Sequence, residues 1–245
     1  MITGKGYTNR GGRECNEDAG LFAVKKGICY AVIADGLGGH GNGDIASGAA
    51  VEEIKKCLEE RSEDKQITQA DMEEWFDRAN RVVLAMQTNQ AKMKTTLALL
   101  CIDERLKIAY LAHLGDSRIY HFENGKCVFC TFDHSVSRMA VLSGEIEMEE
   151  IRFHADRNKL LKAIGKAGEV KAETKTISLK EGAEHAFLLC TDGFWEYVTE
   201  EEMEQTLAIA GTPKEWLSMM RKYLNRRAKA DNDNNSAIAI WNLEA

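Results

Sequence analysis

The stretch from residue 28 to residue 41, ICYAVIADGLGGHG, carries the strongest structural signal in the chain. A short apolar run, rich in β-branched and aromatic residues and followed by glycines, predicts a buried β-strand. The strand is predicted to end at Asp35, and the small residues after it let the backbone approach that carboxylate closely. The sequence therefore predicts an acidic side chain held at the end of a core strand.

The glycines of this stretch also match a nucleotide-binding pattern, because Gly36, Gly38 and Gly41 satisfy GxGxxG. Two features argue against a dinucleotide site. Asp35 would place a carboxylate beside the pyrophosphate, and the following helix leads into another helix rather than into a second parallel strand. We favour a strand-end aspartate that binds a metal ion, with Gly36 offering its carbonyl oxygen.

The segments on either side of this strand indicate the fold class. Residues 21–24 are predicted to pair with it as a hairpin, and apolar residues at helical spacing predict two amphipathic helices, one starting at Asp44 and one over 72–86. Further strands are predicted over 95–102, 106–113, 118–122, 174–179, 186–190 and 237–243, the first three spaced like an antiparallel meander, and two further helices over 200–210 and 213–229. Helical pairs early and late, without βαβ alternation, predict an α+β fold of antiparallel sheets covered by helices.

Composition favours a single domain over residues 1–245, with residues 134–170 as a mostly helical, flap-like insertion. The net charge of −7 gives no basic surface for nucleic acid or for an anionic membrane. No apolar run reaches the length of a membrane span, and the expected location is cytoplasmic. Most of the seven cysteines sit in apolar strand-like runs without CxxC pairing, which favours reduced core thiols. No phosphate loop that would activate a nucleophilic cysteine is found, which argues against thiol phosphatase chemistry.

Aspartates recur at predicted strand ends, at Asp35, Asp116 and Asp192. Several carboxylates in one cleft would repel one another unless cations neutralised them, and hard oxygen ligands select Mg²⁺ or Mn²⁺. Residues 231–235, DNDNN, begin like a calcium-binding EF-hand loop, but the required glycine and glutamate are missing further on. Asp233 is therefore favoured as a single ligand before the last strand.

These pieces resemble the metal-dependent protein phosphatases, the PPM family, and the compact bacterial branch most of all. The resemblance covers essentially the whole chain. The matching segments are Arg13-Glu14-Cys15-Asn16-Glu17-Asp18, Asp35-Gly36-Leu37-Gly38-Gly39-His40, Thr95-Thr96-Leu97, Gly115-Asp116-Ser117-Arg118, Asp133-His134-Ser135, Thr191-Asp192-Gly193 and Asp233-Asn234-Asn235-Ser236.

The resemblance implies a four-layer α-β-β-α sandwich with a binuclear Mn²⁺ or Mg²⁺ centre in the cleft at one end. Asp35 resembles the ligand that bridges the two ions. Asp192 and Asp233 resemble the other ligands of the first ion, and Gly36 resembles the carbonyl ligand of the second. Asp116 resembles a ligand of a third, weaker ion.

The same resemblance implies roles for residues around the metal centre. Glu17 and Asp18 would orient metal-bound waters, and Arg13 would bind the phosphate. Arg13, Asp18 and Asp35 are thus the implied catalytic residues. A metal-activated water would attack phosphorus directly, without a phosphoenzyme. Leu37 stands where the eukaryotic branch has a histidine, so the proton donor to the leaving group is not assigned. A metal-bound water or a nearby acid could supply the proton, and His40 is one possible acid.

The implied function is hydrolysis of phosphoserine and phosphothreonine on proteins by a monomer, in opposition to a serine/threonine kinase of bacterial signalling. Two alternatives stay open at this point: a catalytically weak relative that binds phosphopeptides or a kinase, and a small-molecule phosphatase on the same scaffold. The chain departs from the family pattern at Lys94, where a glycine commonly precedes the paired threonines.

Overall fold

The computed structural model describes residues 2–25, 27–37, 42–62, 64–89, 91–168 and 170–242. The strands are β1 Ile2–Asn9, β2 Asp18–Lys25, β3 Ile28–Leu37, β4 Lys94–Thr95, β5 Leu97–Asp103, β6 Ile108–Leu114, β7 Arg118–Glu123, β8 Lys126–Cys130, β9 Glu173–Ser178, β10 His185–Cys190 and β11 Asn235–Asn242. The helices are α1 Gly43–Glu60, α2 Gln69–Met86, α3 Val136–Leu142, α4 Asp192–Trp195, α5 Glu200–Leu207 and α6 Pro213–Arg227, and Met148–Phe153 forms a 3₁₀ helix.

The strands form two antiparallel sheets. The first sheet has the order β1-β11-β10-β7-β8, and the second has the order β2-β3-β5-β6-β9 with the short strand β4 added beside β3. The hairpin predicted around the central strand is confirmed, because β2 pairs with β3 from Asp18 opposite Asp35 to Lys25 opposite Ile28.

Three apolar cores separate the layers. Side chains such as Ile33, Leu100 and Phe187 fill the space between the sheets. The helices α1 and α2 pack their apolar faces, including Phe76, on the second sheet. The helices α5 and α6 cover the first sheet through a core around Trp216. The predicted four-layer α-β-β-α sandwich is therefore confirmed.

The predicted meander is wrong at its third strand. Strands β5 and β6 pair as expected, but β7 lies in the first sheet, between β10 and β8. Gly115 has a φ of +110°, a conformation that favours glycine, and it turns the chain out of β6 toward the other sheet. This crossing places Asp116 between the two sheets, at the end of the sandwich where Asp35 also lies.

Residues 134–170 are less helical than predicted. Among the described residues of this segment, α3 and the 3₁₀ helix are the regular helical elements, and much of the rest is irregular chain. Isolated antiparallel bridges, Thr95 with Ile164 and Ser135 with Leu160, fasten the segment to itself and to β4. These two backbone bridges, in place of the packing of predicted helices, hold the segment together and attach it to β4.

Local sequence explains where the main helices begin. Thr68 and Asp71 form a reciprocal capping box at the start of α2. Thr212 caps α6, and Pro213 occupies its first turn.

All seven cysteine thiols are free. Within the described residues, none of the helices combines the length and the apolar character needed to span a bilayer.

Candidate metal centre and active site

An acidic cleft of about 740 Å³ opens at one end of the sandwich. Its walls come from the segment before β2, the end of β3, the crossing from β6 to β7, the end of β10 and the start of β11. The lining residues are Arg13, Glu14, Cys15, Glu17, Asp35, Gly36, Leu37, Asp116, Asn158, Leu160, Asp192, Asp233 and Asn234. Seven of the predicted site residues are among them. Asp18 lies directly behind this wall, opposite Asp35 in the β2–β3 ladder.

Two threonines fix the backbone of Asp35. The Asp35 amide donates to Thr96 Oγ1 at 2.8 Å, and its carbonyl accepts from Thr95 Oγ1 at 2.8 Å and from the Thr96 amide at 2.9 Å. Because the backbone groups of Asp35 are bonded to β4 and its continuation, the carboxylate is held at a defined place at the cleft. The sequence match included these threonines without assigning them this role.

Asp18 is held by hydroxyl groups from the opposite sheet. Its Oδ2 accepts from Ser236 Oγ at 2.6 Å and from Thr191 Oγ1 at 3.0 Å, while its Oδ1 is buried without a hydrogen-bond partner. Burial raises the pKa of Asp18 to about 7, although the two hydroxyl bonds act in the opposite direction. The free oxygen of this carboxylate is available to a cation or to a cation's water.

The same condition holds for Asp192, which begins α4. Its Oδ1 is buried without a hydrogen-bond partner. Burial, followed by the charges of Glu196 and Asp233, raises the pKa of Asp192 to about 7. A buried carboxylate oxygen without a partner is costly, and a bound divalent cation would satisfy it.

Asp35 and Asp116 complete the group of mutually repelling carboxylates. Burial raises the pKa of Asp35 well above its usual range, and the charges of Asp192, Asp18 and Asp116 add to the effect. Burial and the charge of Asp192 likewise raise the pKa of Asp116. The arrangement thus favours either protons or cations between these side chains.

The buried side chain of Arg118 supports the loop that carries Asp116. Arg118 forms a two-point ion pair with Asp133, with Nε 2.8 Å from Oδ1 and Nη2 2.7 Å from Oδ2. The guanidinium also lies 3.6 Å from the ring centre of Trp195. Trp195 Nε1 in turn donates to the Asp116 carbonyl at 2.9 Å. This network ties the Asp116 loop to the helix that starts at Asp192.

The N-terminal segment is attached to the start of β11. Arg13 Nη2 lies 2.9 Å from Asp233 Oδ2. Asn234, whose role sequence reasoning missed, accepts from the Glu17 amide at 2.7 Å and donates to the carbonyls of Arg10 at 2.8 Å and Cys15 at 2.9 Å. One side-chain amide therefore holds both ends of the loop that carries Arg13. Its position beside Asp233 in a polar run is the available sequence signal.

Gly36 and Glu17 pack tightly against the start of α1. A Cβ atom at Gly36 would lie 2.1 Å from the Gly43 carbonyl oxygen and 2.6 Å from that of Glu17, so a side chain does not fit. Glu17 Oε1 accepts from the Gly43 amide at 3.0 Å.

Residues 38–41, including His40, lie outside the described residues, and the role of His40 as a proton donor stays a prediction.

A second group of possible ligands, His113, His134 and Glu173, has ligand atoms within 4.8 Å of one another. The two imidazole rings are stacked, with centres 4.7 Å apart and planes inclined by only 21°. Nearly parallel rings cannot both direct an in-plane lone pair at one ion. His134 Nδ1 also accepts from the Gly115 amide at 3.2 Å, which leaves the proton of the neutral ring on Nε2. The geometry therefore fits packing and hydrogen bonding rather than metal binding.

The fold and the cleft together define a class of protein, a metal-dependent hydrolase of phosphate esters built on two sheets between helical layers. A sequence model of the family described as Protein phosphatase 2C matches residues 5–235. The chain belongs to this protein phosphatase 2C family.

Individual relatives agree with that assignment. The chain is 30% identical over 234 residues to the serine/threonine phosphatase stp of Listeria monocytogenes serotype 4b (strain F2365), covering 92% of this chain and 90% of the relative. The structure of serine/threonine phosphatase Stp1 from Staphylococcus aureus superposes with a TM-score of 0.84 at 27% identity, covering 100% of this chain and 96% of that one. The catalytic domain of the serine/threonine protein phosphatase PstP in complex with two manganese ions has a TM-score of 0.80 at 21% identity over 99% of both chains, which shows a shared fold.

Proposed function

We propose that this protein hydrolyses phosphoserine and phosphothreonine on proteins at a binuclear Mn²⁺ or Mg²⁺ centre. One observation carries the proposal. Four aspartates that are far apart in sequence, Asp35, Asp116, Asp192 and Asp233, line one cleft. The family and the names of the relatives supply the reaction class, since those relatives are serine/threonine phosphatases.

The donor set fits hard divalent cations. Asp35, Asp192 and Asp233 would hold one ion, with Asp35 shared with a second ion that also takes the Gly36 carbonyl. Asp116 would contribute to a third, weaker site. The unpartnered buried oxygen of Asp192 supports this assignment, because carboxylate and carbonyl oxygens are the ligands that Mg²⁺ and Mn²⁺ prefer. The manganese in the PstP structure is consistent with such a centre.

When bound, a pair of such ions lowers the pKa of coordinated water and neutralises charge on a phosphoryl group. The chain's own residues then position the reactants. Glu17 and Asp18 would orient water, and the rigid hydroxyl contacts of Asp18 favour one orientation of its carboxylate. Arg13 would grip two phosphoryl oxygens with its planar guanidinium, stabilising charge that develops during transfer.

We infer phosphoprotein substrates, a serine/threonine kinase whose action this enzyme opposes, a monomeric state and a cytoplasmic location. We also infer a single catalytic domain over residues 1–245, with residues 134–170 acting as a flap over the substrate. The flap assignment is supported by Asn158 and Leu160, which line the cleft from that segment.

Activity with matched variants tests the proposal. Purified protein is expected to hydrolyse para-nitrophenyl phosphate and a phosphothreonine peptide only with Mn²⁺ or Mg²⁺ present. Asp35→Asn and Asp192→Asn should each lose that activity, whereas Asp64→Asn, which changes an exposed acidic residue, should retain it. Metal-independent hydrolysis would refute the mechanism.

The same assays separate the two alternatives. A protein that binds the phosphopeptide with metal present but turns over neither substrate would be a binding relative. A protein that hydrolyses phosphorylated metabolites far faster than any phosphopeptide would be a small-molecule phosphatase.

A further inference from the structure

We propose that Lys94 is a specificity-determining residue that attracts an acidic side chain flanking the phosphorylated residue of the substrate. The inference rests on the proposed phosphatase function and concerns which phosphopeptides that site prefers. It is drawn from the register of β4, the bonding of its neighbours and the charges around the cleft.

The register of a short ladder places Lys94 at the rim of the cleft. Strand β4 pairs with the end of β3, with Thr95 opposite Gly36 and Lys94 opposite Leu37. Directly opposed residues of an antiparallel pair project from the same face, with Cβ atoms about 5 Å apart. Leu37 lines the cleft and is 37% exposed. The Lys94 side chain therefore projects from the sheet beside Leu37, a residue of the cleft wall.

The backbone next to Lys94 is fixed by the bonds of Thr95. The next residue, Thr95, donates its hydroxyl to the Asp35 carbonyl at 2.8 Å, which connects β4 to a proposed metal ligand. On its other side, Thr95 exchanges two backbone hydrogen bonds with Ile164, at 3.1 and 2.9 Å. Lys94 thus stands where the metal-bearing strand meets the segment proposed as a flap. A peptide that lies in the cleft along Leu37 would pass this position.

Charge distinguishes Lys94 from the other cations close to the cleft. Arg13 pairs with Asp233. Arg157 and Lys159, on either side of cleft-lining Asn158, pair with Glu196 and Asp156 respectively. Lys94 is exposed and makes no ion pair or side-chain hydrogen bond with any described residue. Its ammonium group is therefore available to a ligand.

The charge of the whole molecule makes such a contact selective. With a net charge of −7, the protein offers no general attraction to an acidic peptide. One exposed cation at the rim favours an acidic side chain only where the bound peptide places it near Lys94. The expected preference is thus confined to one or two positions relative to the phosphoresidue.

A peptide scan tests this inference. The substrates are phosphothreonine peptides with an otherwise neutral sequence, in which one glutamate is moved a position at a time on either side of the phosphothreonine. We expect kcat/KM to rise roughly two- to fivefold at one or two positions, the range that an exposed ion pair provides. The gain should shrink as salt rises from about 0.05 to 0.5 M, because exposed charges are screened.

Variants assign that gain to one side chain. Lys94→Gln should abolish the positional preference, Lys94→Glu should reverse it in favour of a lysine-scanned set, and Lys94→Arg should keep it. Lys222→Gln, an exposed lysine of α6, is the charge-matched control and should leave the preference unchanged. Para-nitrophenyl phosphate, which has no flanking residues, should be hydrolysed at the wild-type rate by all four variants.

Three results would overturn the inference. Equal losses of kcat/KM by Lys94→Gln on every peptide and on para-nitrophenyl phosphate would show that Lys94 contacts the phosphate or supports the fold. A positional preference that survives in Lys94→Gln would place its origin elsewhere. If wild-type protein hydrolysed none of the substrates, the proposed phosphatase function would fail, and this inference would fail with it.

Discussion

Arg13 and Asp233 form an ion pair at 2.9 Å, although they lie 220 positions apart in the chain. Both side chains are accessible, with 54% and 39% of their surfaces exposed. The pair joins the residue proposed to bind phosphate to a residue proposed to bind metal. A metal ion that binds the Asp233 carboxylate would therefore free the Arg13 guanidinium to contact an incoming phosphate.

Replacing Arg13 should consequently separate phosphate binding from metal binding. We expect Arg13→Ala to lower kcat/KM roughly 10- to 100-fold, mainly through KM, because it removes a charge-assisted contact to the phosphoryl oxygens. Manganese affinity, measured by calorimetry, should be unchanged or slightly tighter, since Asp233 no longer has a competing partner.

The matched control for this change is Arg226→Ala, at an exposed position near the end of α6. It should retain both activity and metal binding. Weaker manganese binding in Arg13→Ala, with KM unaltered, would contradict the assignment and make Arg13 a support for the metal centre.

Charge repulsion in the cleft leads to a second prediction, on stability. Without divalent cations, Asp192→Asn should raise Tm by about 2–4 °C for each kcal/mol of repulsion removed. Manganese should raise the Tm of the wild type much more than that of the variant, because the variant lacks a ligand. Calorimetric melts with and without manganese measure both effects. A variant that melts lower than the wild type in chelator, or gains equally from manganese, would count against a metal role for Asp192.

The sequence predicts the acidic centre well because its residues follow recognisable strands. Asp35 and Asp192 come directly after apolar runs, and strand ends from neighbouring sheets meet in space. The predicted α+β architecture follows from the same runs and from the two helical stripes. Hydrophobic periodicity is local information, and these features depend on little else.

Other features depend on contacts between distant segments. Strand β1 has little apolar pattern, with Ile2 as its buried hydrophobic residue, and it is held by its ladder with β11. The chain crosses between sheets at Gly115, yet the spacing from β6 to β7 is that of an ordinary hairpin. The hydroxyl partners of Asp18, on Thr191 and Ser236, come from the other sheet. Sequence spacing does not predict these contacts between distant segments.

The buried pair of Arg118 and Asp133 provides a third prediction. Both side chains are almost fully buried, at 4% and 2% exposure. Asp133→Ala should cost about 3–5 kcal/mol of unfolding free energy, because it leaves the buried guanidinium with only the longer contact to Glu200, at 3.8 Å, as counter-charge among the described residues. The double variant Arg118→Met with Asp133→Leu should cost less than that single change. Urea unfolding gives both values, and a double variant at least as unstable as Asp133→Ala would disprove this account.

Acid sensitivity gives a fourth prediction, at a site away from the cleft. His121 and His185 lie side by side on neighbouring strands, with His121 Nε2 3.0 Å from His185 Nδ1, and Glu123 and Lys180 are the charged groups near them. Burial, reinforced by His185, lowers the pKa of His121 from 6.5 to about 4. The unfolded chain therefore binds more protons at this residue between those two pH values.

Neutral His121 makes its full contribution to the free energy of unfolding above pH 6.5. This contribution is lost as pH falls from about 6.5 to about 4, and the loss is on the order of 3 kcal/mol. Urea unfolding across this range should show a steeper fall in the wild type than in His121→Gln, which cannot take up the proton. Gln205→Asn, an exposed change on α5 that removes no titrating group, is the control and should keep the wild-type slope. If the slope of His121→Gln equalled that of the wild type, protonation of His121 would not be a source of the acid sensitivity, because removing a titrating group must flatten the pH dependence that it causes.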